Sequence, residues 1–265
     1  MKQLLMYFTV MALLVKTGRA EDSQPPRRID PQAERILRSA CGYLAESAYF
    51  SITAEIWREH VDEDGQKVQF CRSMTMEVKR PNRLHAEIQS SHVQRGFWYD
   101  GQNLSVLDRN QNLFSTTSMP PTLDQAVDVA QDKFGIDLPM IDLAISDPFT
   151  NAIAKVISAT YFGLSPAMGF NCHHIAFTQE NIDWQVWIQD GPRPLIRKFV
   201  IVRKNEPGSP EFTALIREWN LTERIADSAF VFEAPRGAAQ IQMQNESAPA
   251  AGPAAIKPTG AASGR

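Results

Sequence analysis

Basic residues are too few in this sequence to outnumber the acids: 27 Lys and Arg stand against 30 Asp and Glu. Setting aside residues 1–20 removes Lys2, Lys16 and Arg19 and no acid, which leaves 24 against 30 and a net charge of −6. Nucleic acids and anionic membranes favour basic surfaces, so neither is expected as a partner. Also missing beyond residue 15 is any apolar run near the roughly 20 residues that a membrane-spanning helix needs. The sequence has no His-Glu-x-x-His, no Gly-x-Ser-x-Gly elbow and no glycine-rich phosphate loop. Its acids are scattered through turns and helix faces, where solvated charge is the ordinary explanation. Neither a catalytic set nor a cofactor is expected.

Cysteine is scarce as well, at three residues: Cys41, Cys71 and Cys172. An odd count allows one disulfide and one free thiol, or three small buried hydrophobes. Spacing does not select a pair. Cys172-His173-His174, with Asp183 nearby, invites a metal or thiol-nucleophile reading. On a strand, neighbours point to opposite faces, so His173 and His174 cannot both reach one ion from this element. Cys172 and His174 do share a face, yet two ligands make no site and no activating partner is evident. Strand residues are the simpler account, and no metal is expected.

What is present begins with an export signal. Met1-Lys2-Gln3 is basic, Leu4 to Val15 is almost unbroken apolar sequence, and Gly18 and Ala20 are small residues ahead of an expected cut. No Cys follows that cut, so no lipid-attachment site is read, and the mature chain is expected to be exported without a transmembrane span. Residues 21–29 read as a flexible lead, residues 30–242 as one domain, and residues 243–265 as a disordered Ala/Pro/Gly-rich tail that lacks apolar surface to offset its ordering entropy.

Inside the domain, Asp30-Pro31 reads as an N-cap with Pro at the first helical position. Ile36, Leu37, Ala40, Cys41, Leu44 and Ala48 then form a helical stripe. Alternation sets in at Tyr49, turns at Asp62-Glu63-Asp64-Gly65 and at Arg80-Pro81-Asn82-Arg83, and continues through Leu113-Phe114 as a first meander. Thr122 and Gln125 make a capping box for a helix with Leu123, Ala126, Val127, Ala130 and Phe134 on its apolar face and Gly135 at its end. Residues 136–145 are apolar without period, as in a lid over a cavity or a buried irregular connection. Asp147-Pro148 opens a short helix. A second meander runs from Val156 to Trp219; in its strand 182–188, Ile182, Trp184, Val186 and Ile188 share one face. A last extended piece is expected at Phe230-Val231-Phe232.

These pieces carry a resemblance. Arg80-Pro81-Asn82-Arg83-Leu84, Phe97-Trp98-Tyr99-Asp100-Gly101, Gly135-Ile136-Asp137-Leu138-Pro139, Cys172-His173-His174-Ile175-Ala176-Phe177, Asp183-Trp184-Gln185-Val186-Trp187-Ile188, Arg193-Pro194-Leu195-Ile196-Arg197-Lys198 and Phe230-Val231-Phe232-Glu233-Ala234-Pro235 occur in this order. As a set, over residues 30–242, they resemble a family of predicted periplasmic bacterial proteins of unknown function. That family is similar to the LolA/LolB lipoprotein carriers. The resemblance implies an α+β fold: a strongly curved antiparallel sheet of about ten to eleven strands, a half-open, unclosed β-barrel, with short helices covering its concave face. It also implies a periplasmic, non-enzymatic binding protein whose hydrophobic ligand is a lipid or the acyl chains of a lipoprotein. The alternative is a module that binds an envelope protein or senses envelope stress with the same fold. Two features depart from the carriers: the chain shows no anchor site, and its Ala/Pro tail is no part of the shared plan.

Large apolar residues on both faces of the strands fit a curved sheet with a core on one side and an apolar concavity on the other. They also fit a sheet covered by helices on one face and by loops or a second copy on the other. Under the first reading the expected lining residues are Leu84, Phe97, Tyr99, Leu104, Phe114, Phe134, Met140, Ile141, Trp184 and Val186.

Overall fold

The computed structural model of the chain describes residues 27–244. The expected signal peptide over 1–20, most of the lead over 21–29 and nearly all of the tail over 243–265 lie outside the described residues. In chain order the elements are β1 (Arg28–Ile29), α1 (Pro31–Ala45), β2 (Tyr49–Val61), β3 (Lys67–Lys79), β4 (Arg83–Gln89), β5 (Gln94–Tyr99), β6 (Asn103–Asp108) and β7 (Leu113–Ser118). There follow α2 (Leu123–Phe134), a 3-10 turn at Ile141–Leu143, α3 (Pro148–Ile153), β8 (Ser158–Ala167), β9 (Phe170–Thr178), β10 (Ile182–Gln189), β11 (Ile196–Arg203) and β12 (Glu211–Asn220). A 3-10 turn at Asp227–Phe230 and β13 (Ala239–Gln240) come last.

All thirteen strands belong to one sheet in the order β1-β8-β9-β10-β11-β12-β2-β3-β4-β5-β6-β7-β13. Each meander pairs strand by strand with its sequence neighbour, and β12 joins them by pairing with β2. The first and last strands do not meet, so the curved sheet stays open. Eleven strands have six residues or more, the number expected. The extra two are short parallel additions at the edges, β1 on β8 and β13 on β7. Arg28 and Ile29, expected in a flexible lead, are strand because the free edge of β8 supplies partners for their backbone groups.

Local chemistry explains the joints. Asp62 Oδ1 accepts the N–H groups of Asp64 and Gln66 in the β2–β3 turn, and Gly65 there has φ +82°, where a side chain would be strained. The two strands it joins pair over 13 residues each. Asp30 caps α1 through the N–H of Gln32 at 2.7 Å. Register shifts at Trp187/Ile188, Ile216/Glu218 and Tyr161/Leu164 put extra residues into one strand of a pair, which bends it and increases its twist.

One face of the sheet is the inner face. Phe50, Ile52, Ala54 and Ile56 of β2, Met74, Met76 and Val78 of β3, and Ala214 and Ile216 of β12 are all buried there with α2 and the 136–145 loop. Farther along, Ile175, Phe177, Val186 and Ile188 are buried with Leu37, Ala40 and Cys41 of α1 and Phe149 of α3. Thus α1 covers β8–β10 of the second meander, and α2 with the 136–145 loop covers the first meander and β12. All three cysteines are free: Cys41 and Cys172 are buried and Cys71 is exposed.

The outer face carries its own cover. His85 stacks on Trp98 at 4.9 Å between centroids, and the ring of Phe232 lies 5.1 Å from Trp98 and 5.2 Å from Phe114. Lys79 donates to the Asp227 carboxylate from the same direction. The closing piece expected as extended is instead a 3-10 turn up to Phe230, with Val231 returning to extended backbone. The turn lets Phe230 become fully buried while Phe232 reaches the outer aromatics. Apolar residues on both strand faces are therefore accounted for at this end by a strap of chain rather than by a second cavity. His173 and His174 do face opposite ways: His173 bonds Tyr161 at 2.9 Å and Asp190 at 3.1 Å, while His174 bonds Gln185 at 2.9 Å and stacks on Trp187.

Candidate binding cleft

Helix α2 is held over the first meander by its ends. Thr122 accepts the N–H of Gln125 at 3.4 Å, the first half of the expected capping box. Gly135 closes the helix at φ +60°, and the N–H of Ile136 returns to the carbonyl of Ala130 at 3.0 Å. The N–H of Leu123 donates to the Pro81 carbonyl at 2.9 Å, and the Tyr99 hydroxyl donates to the carbonyl of Pro120. Burial, with Asp100 nearby, pushes the Tyr99 phenol up to about 12, so it remains a donor at any physiological pH.

Between this helix and the sheet lies a narrow apolar cleft with about 40 Å³ of enclosed free space, widening to about 440 Å³ only when the open solvent at its mouth is counted. Its floor is Leu84 from β4, Phe97 and Tyr99 from β5 and Leu104 from β6. Its roof is Leu123, Ala126, Val127 and Ala130 of α2, one apolar stripe at helical spacing. Ile136, Leu138 and Ile141 close one side, and Gln131 is the one amide side chain at its wall. No charged side chain lines it.

The cover is tied down by polar contacts at its margins. Asp124 accepts from the N–H and hydroxyl of Ser146 at 3.1 and 2.6 Å. The Arg80 guanidinium donates to the carbonyls of Ser47 at 3.1 Å, Leu143 at 2.9 Å and Ile145 at 3.2 Å, joining the loop to the end of α1. Burial holds Arg80 below the usual arginine range, and its Nε finds no partner among the described residues. Asp137 pairs with Arg58 at 3.4 Å and with Arg203 at 3.6 Å. Apart from the Tyr99 hydroxyl, which donates to Pro120 at the start of the cover, the floor and roof meet through apolar side chains.

Of the ten residues expected to line a cavity, the structure brings five together: Leu84, Phe97, Tyr99, Leu104 and Ile141. Phe134 and Met140 pack into the same core beside the cleft. Val186 and Trp184 lie on the inner face too, but under α1; Trp184 stacks on Phe177 at 3.8 Å. Phe114 is on the outer face with Phe232, because the β6–β7 register pairs it with Leu107 rather than with Val106. The roof residues are absent from the expected set. Their helical stripe is plain in the sequence; the gap beneath it is not.

No protein with a curated description is significantly similar to this chain. Among solved structures, an uncharacterized conserved protein from Thermus thermophilus is 10% identical over 80% of this chain and 99% of its own, with a TM-score of 0.47. Lipoprotein LppX from Mycobacterium tuberculosis is 12% identical, covering 74% and 100%, at 0.46. A LolA superfamily protein from Nitrosomonas europaea is 9% identical, covering 76% and 97%, at 0.41. Residues 33–244, most of the chain and nearly all of the described part, match the family described as predicted periplasmic protein, DUF2092. The chain belongs to that family of predicted periplasmic proteins.

Proposed function

We propose that this protein is a non-enzymatic periplasmic binding protein that takes an alkyl chain, from a lipid or an acylated lipoprotein, into the cleft beneath α2. The observation that carries the reading is the cleft itself: apolar floor, roof and side wall beneath α2, with the polar fastenings of its cover at the margins. Burial supplies about 0.8 kcal/mol for each methylene the cleft takes in, less the cost of ordering and displacing the cover. Leu84, Phe97, Tyr99, Leu104 and Ile141 would contact the chain.

A second reading, an envelope protein as partner, has a different observation in its favour. Strand β1 pairs only with Ser158 and Ala159 of β8. The rest of that edge has no strand partner among the described residues and carries Phe162 and Leu164, 62% and 58% exposed. Unpaired strand edges accept an added strand.

Native mass spectrometry of protein purified from the periplasm, followed by lipid extraction, tests both. Stoichiometric lipid or acylated peptide supports the first reading. A bound unmodified polypeptide with no lipid in any preparation refutes it in favour of the second.

A further inference from the structure

The inner face of the sheet does not end where the core ends. On β3 the buried run Val78, Met76, Met74 continues on the same face as Arg72, Phe70 and Val68, the last two 39% and 37% exposed. On β2 the run ends with Ile56, paired with Arg72, and continues with Arg58, paired with Phe70. On β5 the face passes from Phe97, on the cleft floor, to Arg95, about 7 Å farther along the strand. On β11 it passes from Ile201 to Arg203. Four guanidinium groups thus gather beyond the apolar end of the concavity.

Three of the four have carboxylate partners. Asp108 pairs with Arg95 at 3.4 Å. Asp137, seated between the cleft residues Ile136 and Leu138, serves Arg58 and Arg203, and Glu206 also pairs with Arg203, at 3.1 Å. Arg72 is different. Although half-buried, it has neither an ion pair nor a hydrogen bond among the described residues.

We infer that Arg72, on the inner face four residues along β3 from the Met76 that is in register with Phe97 through Ala86, is an anion site, and that the ligand is an anionic amphiphile whose chain lies under α2 while its phosphate or carboxylate head pairs with this guanidinium. The inference rests on the cleft being the ligand site. Burial lowers the Arg72 pKa, and the like charges of Arg58 and Arg95 lower it further. An anion there would relieve that repulsion and make charge-assisted, bidentate hydrogen bonds of the kind arginine forms with phosphate and carboxylate. Phe70 and Val68, both partly exposed, continue the same face beyond it. The net charge of −6 expected for the exported chain makes a local basic cluster the more selective: it answers one head group, not an anionic bilayer.

The test is isothermal titration of the purified periplasmic protein with three probes, dodecyl phosphate, dodecanol and inorganic phosphate, in low and high salt. Dodecyl phosphate should bind at least about tenfold more tightly than dodecanol, which corresponds to about 1.4 kcal/mol. Arg72→Gln should bring the two within about twofold by weakening only the phosphate, and Arg72→Lys should keep part of the preference. Equal binding of the two dodecyl probes by the unaltered protein overturns the anion site while leaving the cleft reading intact. Binding of none of the three probes removes the cleft reading and this inference with it. Inorganic phosphate bound alone, and lost in Arg72→Gln, supports the anion site and names free phosphate as its source. Unchanged preference in Arg72→Gln, or equal loss of both probes in a variant that still melts like the parent, overturns it.

Discussion

Replacing Ala126 by Phe asks whether the space beneath α2 is a binding cleft or a packed core. Ala126 is buried on the roof stripe, facing Leu84, Phe97 and Leu104 across the gap. Phe is a weaker helix former than Ala, a cost of about 0.5 kcal/mol in a helix interior. Against that, a phenyl ring moved from water into an apolar cleft gains about 1.5–3 kcal/mol. The variant should therefore be as stable as the parent or about 1–2 kcal/mol more stable in urea denaturation, with its m value unchanged. In a space already filled, the added ring would overpack and cost about 1–3 kcal/mol. The two cases differ in sign. The ring should also occupy the ligand's place, so dodecanol binding, followed by calorimetry or by displacement of a fluorescent alkyl probe, should fall at least about tenfold. A variant that loses stability and keeps its affinity would refute the argument at both points, because it would put the ligand elsewhere.

The outer aromatic strap should make stability depend on pH. Burial alone would lower the His85 pKa, but the carboxylates of Glu77 at 3.0 Å and Glu87 at 3.3 Å raise it to about 9. A histidine raised in the folded state stabilises fully below its ordinary 6.5 and loses that contribution as pH climbs through 9. About 2.5 units corresponds to about 3 kcal/mol; His85→Gln should flatten urea stability across that window, and an unchanged slope would disprove the assignment. Arg80→Met should leave the carbonyls of Ser47, Leu143 and Ile145 without their donor, at about 1–3 kcal/mol for each acceptor left buried and unpaired. Ser47 and Ile145 are only part-buried and their carbonyls can turn to water, so a loss of about 2–4 kcal/mol in total is expected, with faster hydrogen exchange over residues 141–146; a loss under about 0.5 kcal/mol would mean that the loop is held by its apolar contacts alone.

Much of the architecture is written in local pattern. Alternation from Tyr49 to Ile56 and from Ile182 to Ile188 marks strands because side chains there have a period of two. Asp30-Pro31, Thr122 and Gly135 mark helix ends because they answer backbone groups that a helix leaves unpaired. The ordered motifs from Arg80-Pro81 to Ala234-Pro235 point to the family. Such signals act within a few residues of each other and need no knowledge of the rest of the chain.

What alternation leaves undecided is which of two faces looks inward. Phe97 and Phe114 are alike as sequence, yet one floors the cleft and the other lies under Phe232 on the far side, because the register from β5 through β6 to β7 reverses the face that each presents. Trp184 and Leu84 share the inner face, but β8–β10 are covered by α1 and β4–β6 by α2, so only Leu84 meets the cleft. The segment at Phe230 forms a turn rather than a strand because tertiary burial of two rings outweighs local extended preference. Arg72 belongs to the same class: in the sequence it is one charge in a strand, and only the alignment of β2, β3, β5 and β11 sets it among Arg58, Arg95 and Arg203 with too few acids to match. The sequence by itself determined the elements and their order, through short-range backbone and periodicity rules. The tertiary structure decided the cleft and the arginine cluster, because both are made by residues from strands far apart in the chain.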